Sequence, residues 1–84
     1  MKHRTTPQFW ELYEKLPKHI QRLADKNFLL LKTDSNHPSL KFKKIGEMWS
    51  ARVGARYRAL AFEYDSGILW FWIGSHAEYD KLMP

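Results

Sequence analysis

Residues 49–73, WSARVGARYRALAFEYDSGILWFWI, decide the fold. Trp49 to Val53 reads as a strand, Gly54-Ala55 as a tight connection, and Arg56 to Tyr64 as the next strand. Asp65-Ser66-Gly67 is a hairpin turn leading into Ile68 to Ile73, a strongly apolar last strand. Just upstream, Leu40-Lys41-Phe42-Lys43 alternates apolar and basic residues as a half-buried strand does, and Gly46-Glu47 turns it into Trp49. An antiparallel meander of this kind needs cover on one face, and the first third of the chain supplies it. Thr6 caps a helix that Pro7 begins, with Phe9, Leu12, Tyr13 and Leu16 at helical spacing. Pro17 breaks that helix. A second, from about Lys18 to Lys32, puts Ile20, Leu23, Ala24, Phe28 and Leu31 on one face. Thr33 to Pro38 has the composition of a loop. After Gly74, Ser75 caps a short final helix, with Glu78 completing a capping box. The expectation is an α+β fold: a helical hairpin packed on a small antiparallel β-sheet, with a short C-terminal helix, in one domain over residues 1–84.

Composition bounds what such a domain can do. The 84 residues leave room for one modest core, and 15% aromatic content is enough to fill it. There is no cysteine, so neither a disulfide nor a thiolate–metal site supports the fold. No apolar run approaches the roughly 20 residues needed to span a bilayer, and the start of the chain lacks the apolar core of a signal peptide. Cytoplasmic residence, with no membrane partner, is the default expectation.

The formal charge is +5, and its placement is more informative than its size. Between Lys41 and Arg58 lie Lys41, Lys43, Lys44, Arg52, Arg56 and Arg58 against Glu47 alone. Elsewhere the remaining eight Lys and Arg face eight Asp and Glu, so the whole excess sits in this segment. A basic run is more often a solvated face than a site. Excess confined to one central segment instead favours a polyanionic ligand. Alternation puts Arg56 and Arg58 on one face of their strand, and Lys41 and Lys43 on one face of theirs. Cations that converge on one part of a sheet repel one another unless a phosphate balances them.

Of the four histidines, His3 lies in a loose terminus, His19 on a polar helix face and His37 in a loop. His76 directly follows the apolar last strand, where a rigid scaffold meets solvent. Histidine is the side chain suited to proton transfer at neutral pH. Tyr79, three residues on, falls on the same side of a helical tail. A lone surface histidine is the bland alternative. No metal-ligand spacing, glycine-rich phosphate loop or nucleophile elbow occurs. Trp70 and Trp72 share a face of the last strand by alternation, to be covered by the helices or by a partner.

Four runs together resemble the RelE/ParE superfamily of toxins from type II toxin–antitoxin systems: His37-Pro38-Ser39-Leu40-Lys41-Phe42-Lys43-Lys44-Ile45, Trp49 to Gly54, Tyr57-Arg58-Ala59-Leu60, and Gly74-Ser75-His76-Ala77-Glu78-Tyr79. The resemblance covers about residues 8 to 83. Its most specific pieces are Arg58 after tyrosine and the Gly-Ser-His-Ala-Glu ending, similar to that of YafQ-like members. It implies a helical hairpin on an antiparallel sheet. It also implies a metal-independent mRNA endonuclease without cofactors, acting with the ribosome and neutralised by a cognate antitoxin. By that resemblance Arg58 and His76 are candidate catalytic residues; Tyr79 joins them as a candidate acid or base only from its place three residues beyond His76. Lys41, Lys43, Lys44, Arg52 and Arg56 are the candidate RNA- and phosphate-binding residues. The implied reaction is attack of a ribose 2′-OH on the adjacent phosphate.

The chain departs from the family pattern twice. The usual amino-terminal strand is reduced to Lys2-His3-Arg4-Thr5, which would leave the sheet a strand short or ragged at one edge. Tyr79 stands where YafQ-like members have an aliphatic residue. Two other functions fit the composition: a ParE-like inhibitor of DNA gyrase that cleaves nothing, and a non-catalytic RNA-binding module. His76 beside a basic strand favours the nuclease, since a pure binder needs no titrating group there.

Overall fold

The computed structural model describes residues 2–82; Met1, Met83 and Pro84, part of the expected domain span, lie outside the described residues. In chain order come strand β1 (Lys2–Thr5), helices α1 (Pro7–Glu14) and α2 (Lys18–Thr33), and a 3-10 turn at Pro38–Leu40. Strands β2 (Lys43–Ile45), β3 (Met48–Val53), β4 (Tyr57–Tyr64) and β5 (Gly67–Ser75) follow, then helix α3 (His76–Leu82). The sheet order is β1-β5-β4-β3-β2. The last four strands form the expected meander, and the helical hairpin covers one face of it.

Three expectations need correction. The sheet is mixed, because β1 adds to β5 in parallel, with Lys2–Thr5 opposite Gly67–Trp70. The amino-terminal edge is therefore a paired strand rather than a missing one. What holds these few basic residues is long-range: His3 is half-buried, and its Nδ1 accepts a hydrogen bond from Trp70 Nε1 at 3.0 Å. The imidazole lies beside the rings of Trp70, Phe28 and Phe42. Nothing in a four-residue segment could reveal that. Finally, Leu40 to Lys43 is not a strand. Pro38 opens a 3-10 turn, Lys41 takes a left-handed φ of 47°, and pairing begins only at Lys43. The apolar alternation there serves the core from a turn: Leu40 is fully buried, and Phe42 stacks on Trp49 at 4.6 Å.

The core joins Phe9, Ile20 and Leu31 of the helices to Ala51, Val53, Ala59, Ala61, Ile68, Trp70 and Ile73 of the sheet. Alanines on β3 and β4 and the large Trp70 on β5 fill the interior as small and large partners do. Buried amides bolt the helices in place. A helix leaves its last carbonyls unpaired. The Gln21 amide nitrogen answers those of α1, at 3.1 Å from the Tyr13 carbonyl, 3.4 Å from Glu14 and 3.1 Å from Leu16. Asn27 donates to the Arg52 carbonyl at 3.1 Å, tying α2 to β3. At the amino end of α1, Phe9 N–H donates to the Thr6 hydroxyl at 3.1 Å, and Thr6 N–H donates to the Trp70 carbonyl at 3.0 Å. One cap thus starts the helix and seats it on β5.

Replacing Gln21 by Ala removes the side-chain donor of the Glu14 and Leu16 carbonyls in this part-buried corner, while Tyr13 keeps Leu16 N–H, and should cost about 1–3 kcal/mol in urea unfolding. In the β4–β5 turn, Asp65 and Ser66 have φ of 51° and 64°, the two left-handed positions of a type I′ turn. Ser66→Gly should therefore raise stability by about 1 kcal/mol in the same assay. Burial above all, with the Lys32 cation among the lesser causes, holds the His3 imidazole below its ordinary value. Because the unfolded chain then takes up the proton more readily, this stability is complete above about pH 6.5. It is lost as pH falls below that value. The urea midpoint should drop between pH 7.5 and pH 5.5, and by less in a His3→Gln variant.

Candidate functional site

The sheet has one face under the helices and one turned away from them. Trp49, Ala51 and Val53 of β3, and Tyr57, Ala59 and Ala61 of β4, join the core beneath the helices. By alternation Met48, Ser50 and Arg52, and Arg58, Leu60 and Phe62, occupy the outer face. Directly paired residues share a face, so the pairs Ser50–Leu60, Arg52–Arg58 and Arg58–Gly74 extend it across three strands. Lys43 pairs with Ser50 and joins the same face at the β2 edge.

Arg58 is the centre of this face. Its guanidinium is half-buried; Nη1 lies 3.4 Å from the Ser50 hydroxyl, and the buried Nε has no partner among the described residues. The central carbon sits 5.1 Å from the centroid of the Tyr79 ring, which comes from α3. The His76 ring lies 5.9 Å from that of Tyr79. A cation, a phenol and an imidazole therefore stand in one row, drawn from two elements. The row is possible because Arg58 pairs with Gly74 and α3 leaves β5 just after it. A side chain at Gly74 would meet the Trp72 indole at 2.6 Å, so only glycine leaves that indole its place over the strand position paired with Arg58.

The turn into α3 is held from several sides. His76 N–H donates to the Arg56 carbonyl at 2.6 Å. The expected capping box is present: the Glu78 carboxylate accepts from Ser75 N–H at 3.1 Å and from the Ser75 hydroxyl at 3.0 Å, while that hydroxyl accepts from Glu78 N–H at 3.2 Å. The Ser75 backbone N–H and then its hydroxyl hold the Glu78 carboxyl below the usual carboxylate range. Asp80, which the sequence reading did not single out, puts its carboxylate 3.2 Å from His76 Nδ1. A histidine that donates Nδ1–H to a carboxylate is left with Nε2 as its acceptor.

The other expected residues divide. Arg52 and Lys43 share the face of Arg58, with Arg52 Nε donating to the Gly54 carbonyl at 3.0 Å. Lys44 does not share it: its partner Trp49 faces the helices, and its ammonium lies 3.3 Å from Glu63, which also accepts from Trp49 Nε1. Arg56 precedes β4 in the connecting turn, so alternation does not place it beside Arg58. Lys41 lies in the left-handed turn before β2 and does not share a strand face with Lys43. Trp70 and Trp72 do not share a face either. The register shifts between Leu60 and Ala61, which pair with Trp72 and Trp70 and leave Phe71 as an extra residue. Trp70 therefore enters the core while Trp72 stays on the outer face. Ser50, at the foot of Arg58, was legible only as a small residue two positions from Arg52. Among the described residues no group of three or more His, Asp or Glu side chains could hold a metal ion, and no helix is long and apolar enough to cross a membrane.

No curated protein sequence matches the chain. Solved structures do match its fold. The RelB–RelE antitoxin–toxin complex from Methanococcus jannaschii aligns with a TM-score of 0.74 at 16% identity, covering 96% of this chain and 99% of that one. YafQ from E. coli strain BL21(DE3) aligns at 0.73 and 13% identity, covering 93% and 96%. The archaeal RelE–RelB complex from Pyrococcus horikoshii OT3 aligns at 0.66 and 17% identity, covering 88% and 92%. At such identities the likeness speaks for the fold. The family itself comes from sequence: the ParE-like toxin domain model matches residues 18–81, most of α2 through α3. With that match spanning well over half of the chain and carrying Arg58, His76 and Tyr79 inside it, the protein belongs to the ParE-like toxin domain family.

Proposed function

We propose that this toxin is a metal-independent endoribonuclease that cuts mRNA on the ribosome and is held inactive by a cognate antitoxin. The observation that carries the reading is the row Arg58–Tyr79–His76, with Arg58 Nε buried and unpaired among the described residues. The Ser50 hydroxyl and the Tyr79 ring hold the Arg58 guanidinium in place, and a phosphate on this face would balance its charge together with those of Arg52 and Lys43. In the reaction, His76 Nε2 takes the proton of a ribose 2′-OH, whose oxygen bonds to the adjacent phosphorus. The bond from phosphorus to the 5′ oxygen breaks, and the Tyr79 hydroxyl protonates that leaving oxygen. The products are a 2′,3′-cyclic phosphate and a 5′-OH. Arg58 neutralises the charge that grows on the phosphate oxygens in the transition state, and Asp80 steadies His76 as an acceptor. Lys41 and Arg56, on the turns before β2 and β4, extend the positive field that draws RNA in, whereas Lys44 is committed to Glu63 and contributes less.

The antitoxin follows from the company the fold keeps, since two of the similar structures are toxins in complex with RelB partners. A second reading is favoured by the ParE-like description of the matching family: a gyrase inhibitor that binds through the same basic face and cleaves nothing. Induced expression separates them. mRNA cut within codons, with translation arrested, supports the nuclease; double-strand DNA breaks with intact mRNA support the gyrase inhibitor. For the nuclease, Arg58→Ala should slow single-turnover cleavage by about 100- to 1,000-fold, and His76→Ala by about 100- to 10,000-fold. Unchanged toxicity and mRNA cleavage in both variants would remove the catalytic assignment. Salt-sensitive RNA binding without cleavage by the unaltered chain would leave a binding module.

A further inference from the structure

The outer face carries more aromatic surface than Arg58 needs. Phe62 is 44% exposed, and its ring stacks on that of Phe71 at 4.5 Å and 13°, an open parallel pair. The register shift at Leu60/Ala61 is what brings Phe71 and Trp72 to this face together, where regular alternation would have sent one of them to the core. Giving up regular pairing to display aromatic rings is not something the core requires. The rings lie in line with the candidate site: Trp72 lies over Gly74, opposite Arg58, and Phe62 is four residues beyond Arg58 on the same face of β4. At about 3.3 Å per residue that is roughly 13 Å. This is a few nucleotides' length, since a stacked strand advances about 3.4 Å per nucleotide.

We propose that the Phe62–Phe71 pair is a base-stacking platform that seats a nucleotide of single-stranded RNA a few positions away from the phosphate at Arg58. The proposal rests on the nuclease reading and adds how its substrate lies on the sheet. Charge and shape favour RNA as the occupant. Arg58, Arg52 and Lys43 share this face, while the acid of β4, Glu63, is turned away with Lys44 and Trp49. The cavity in the core and the one beside the Gly54 turn are not lined by Phe62 or Phe71. A flat, exposed ring pair offers a π-face to a planar base, and stacking of this kind tolerates any base.

The test uses the full chain and two fluorescent 2′-O-methyl RNA probes, which lack the attacking hydroxyl and so cannot be cut: a dinucleotide and a hexanucleotide. Binding is followed by anisotropy at low salt. The combined Phe62→Ala and Phe71→Ala variant should lose roughly tenfold or more in hexanucleotide affinity, with dinucleotide affinity and the salt dependence unchanged. Phe62→Tyr with Phe71→Tyr should restore most of the loss. Equal affinity of the alanine variant and the unaltered chain for the hexanucleotide would overturn the platform while leaving the nuclease reading intact. So would a loss shared equally by both probes. If the unaltered chain binds neither probe, the RNA reading of the whole face fails, and the platform with it. Loss of binding to an acidic antitoxin, with hexanucleotide binding preserved, would reassign the rings to a protein interface and likewise overturn the proposal.

Discussion

Pairing of Tyr57–Tyr64 with Gly67–Ser75 is the constraint on which the other parts depend. It fixes which side chains of β4 and β5 face the helices, and so sets Trp70 where α1 and β1 can anchor to it. Thr6 donates its backbone N–H to the Trp70 carbonyl, and the Trp70 indole donates to His3. One buried residue thus gathers the first helix and the amino-terminal strand. The same ladder puts Gly74 opposite Arg58 and lets the chain turn at Ser75, bringing His76 and Tyr79 back over the outer face.

The irregularity within that ladder has as much consequence as its regular part. Period-2 alternation holds from Ile68 to Trp70, fails at Phe71 and resumes toward Ile73. A one-residue slip moves every later side chain to the other face. Here it keeps Trp72 out of the core while still returning Ile73 to it. The outer face gains the Trp72 indole beside Phe71, and the core keeps its aliphatic floor. A strand of unbroken alternation over these residues would give either a better filled core or a flatter outer face, and no indole beside Arg58.

The electrostatics show how folding sorts a charge excess that looks uniform in sequence. Six cations in 18 residues read as one patch. Folding assigns Lys44 to an exposed pair with Glu63 on the opposite face, and such pairs add little to stability. Arg56 and Lys41 fall on turns. Only Arg52, Arg58 and Lys43 remain on one face, and of these only Arg58 is held against an aromatic ring with a donor left unpaired among the described residues. The candidate site is therefore smaller than the basic segment and lies partly outside it.

Local chemistry was sufficient for much of this protein. The cap at Thr6-Pro7, the break at Pro17, the turn at Asp65-Ser66 and the Ser75–Glu78 box are short-range devices whose residue types dictate their geometry, and each is present. Apolar periodicity was enough for the helices and for β3 to β5, and four short runs, Tyr57-Arg58 and the Gly-Ser-His-Ala-Glu ending above all, were enough for the superfamily resemblance. What only the tertiary structure decided depends on partners distant in the chain. His3 becomes part of a strand through Trp70, 67 residues away. Leu40 and Phe42 serve the core from a turn, because burial rewards position and not strand geometry. Phe71 shifts the register because two neighbouring strands must agree on one ladder. These outcomes are set by which surfaces the whole fold buries and which ladder its strands share, not by residue type in a local pattern, and that is the physical reason they could not be read in advance.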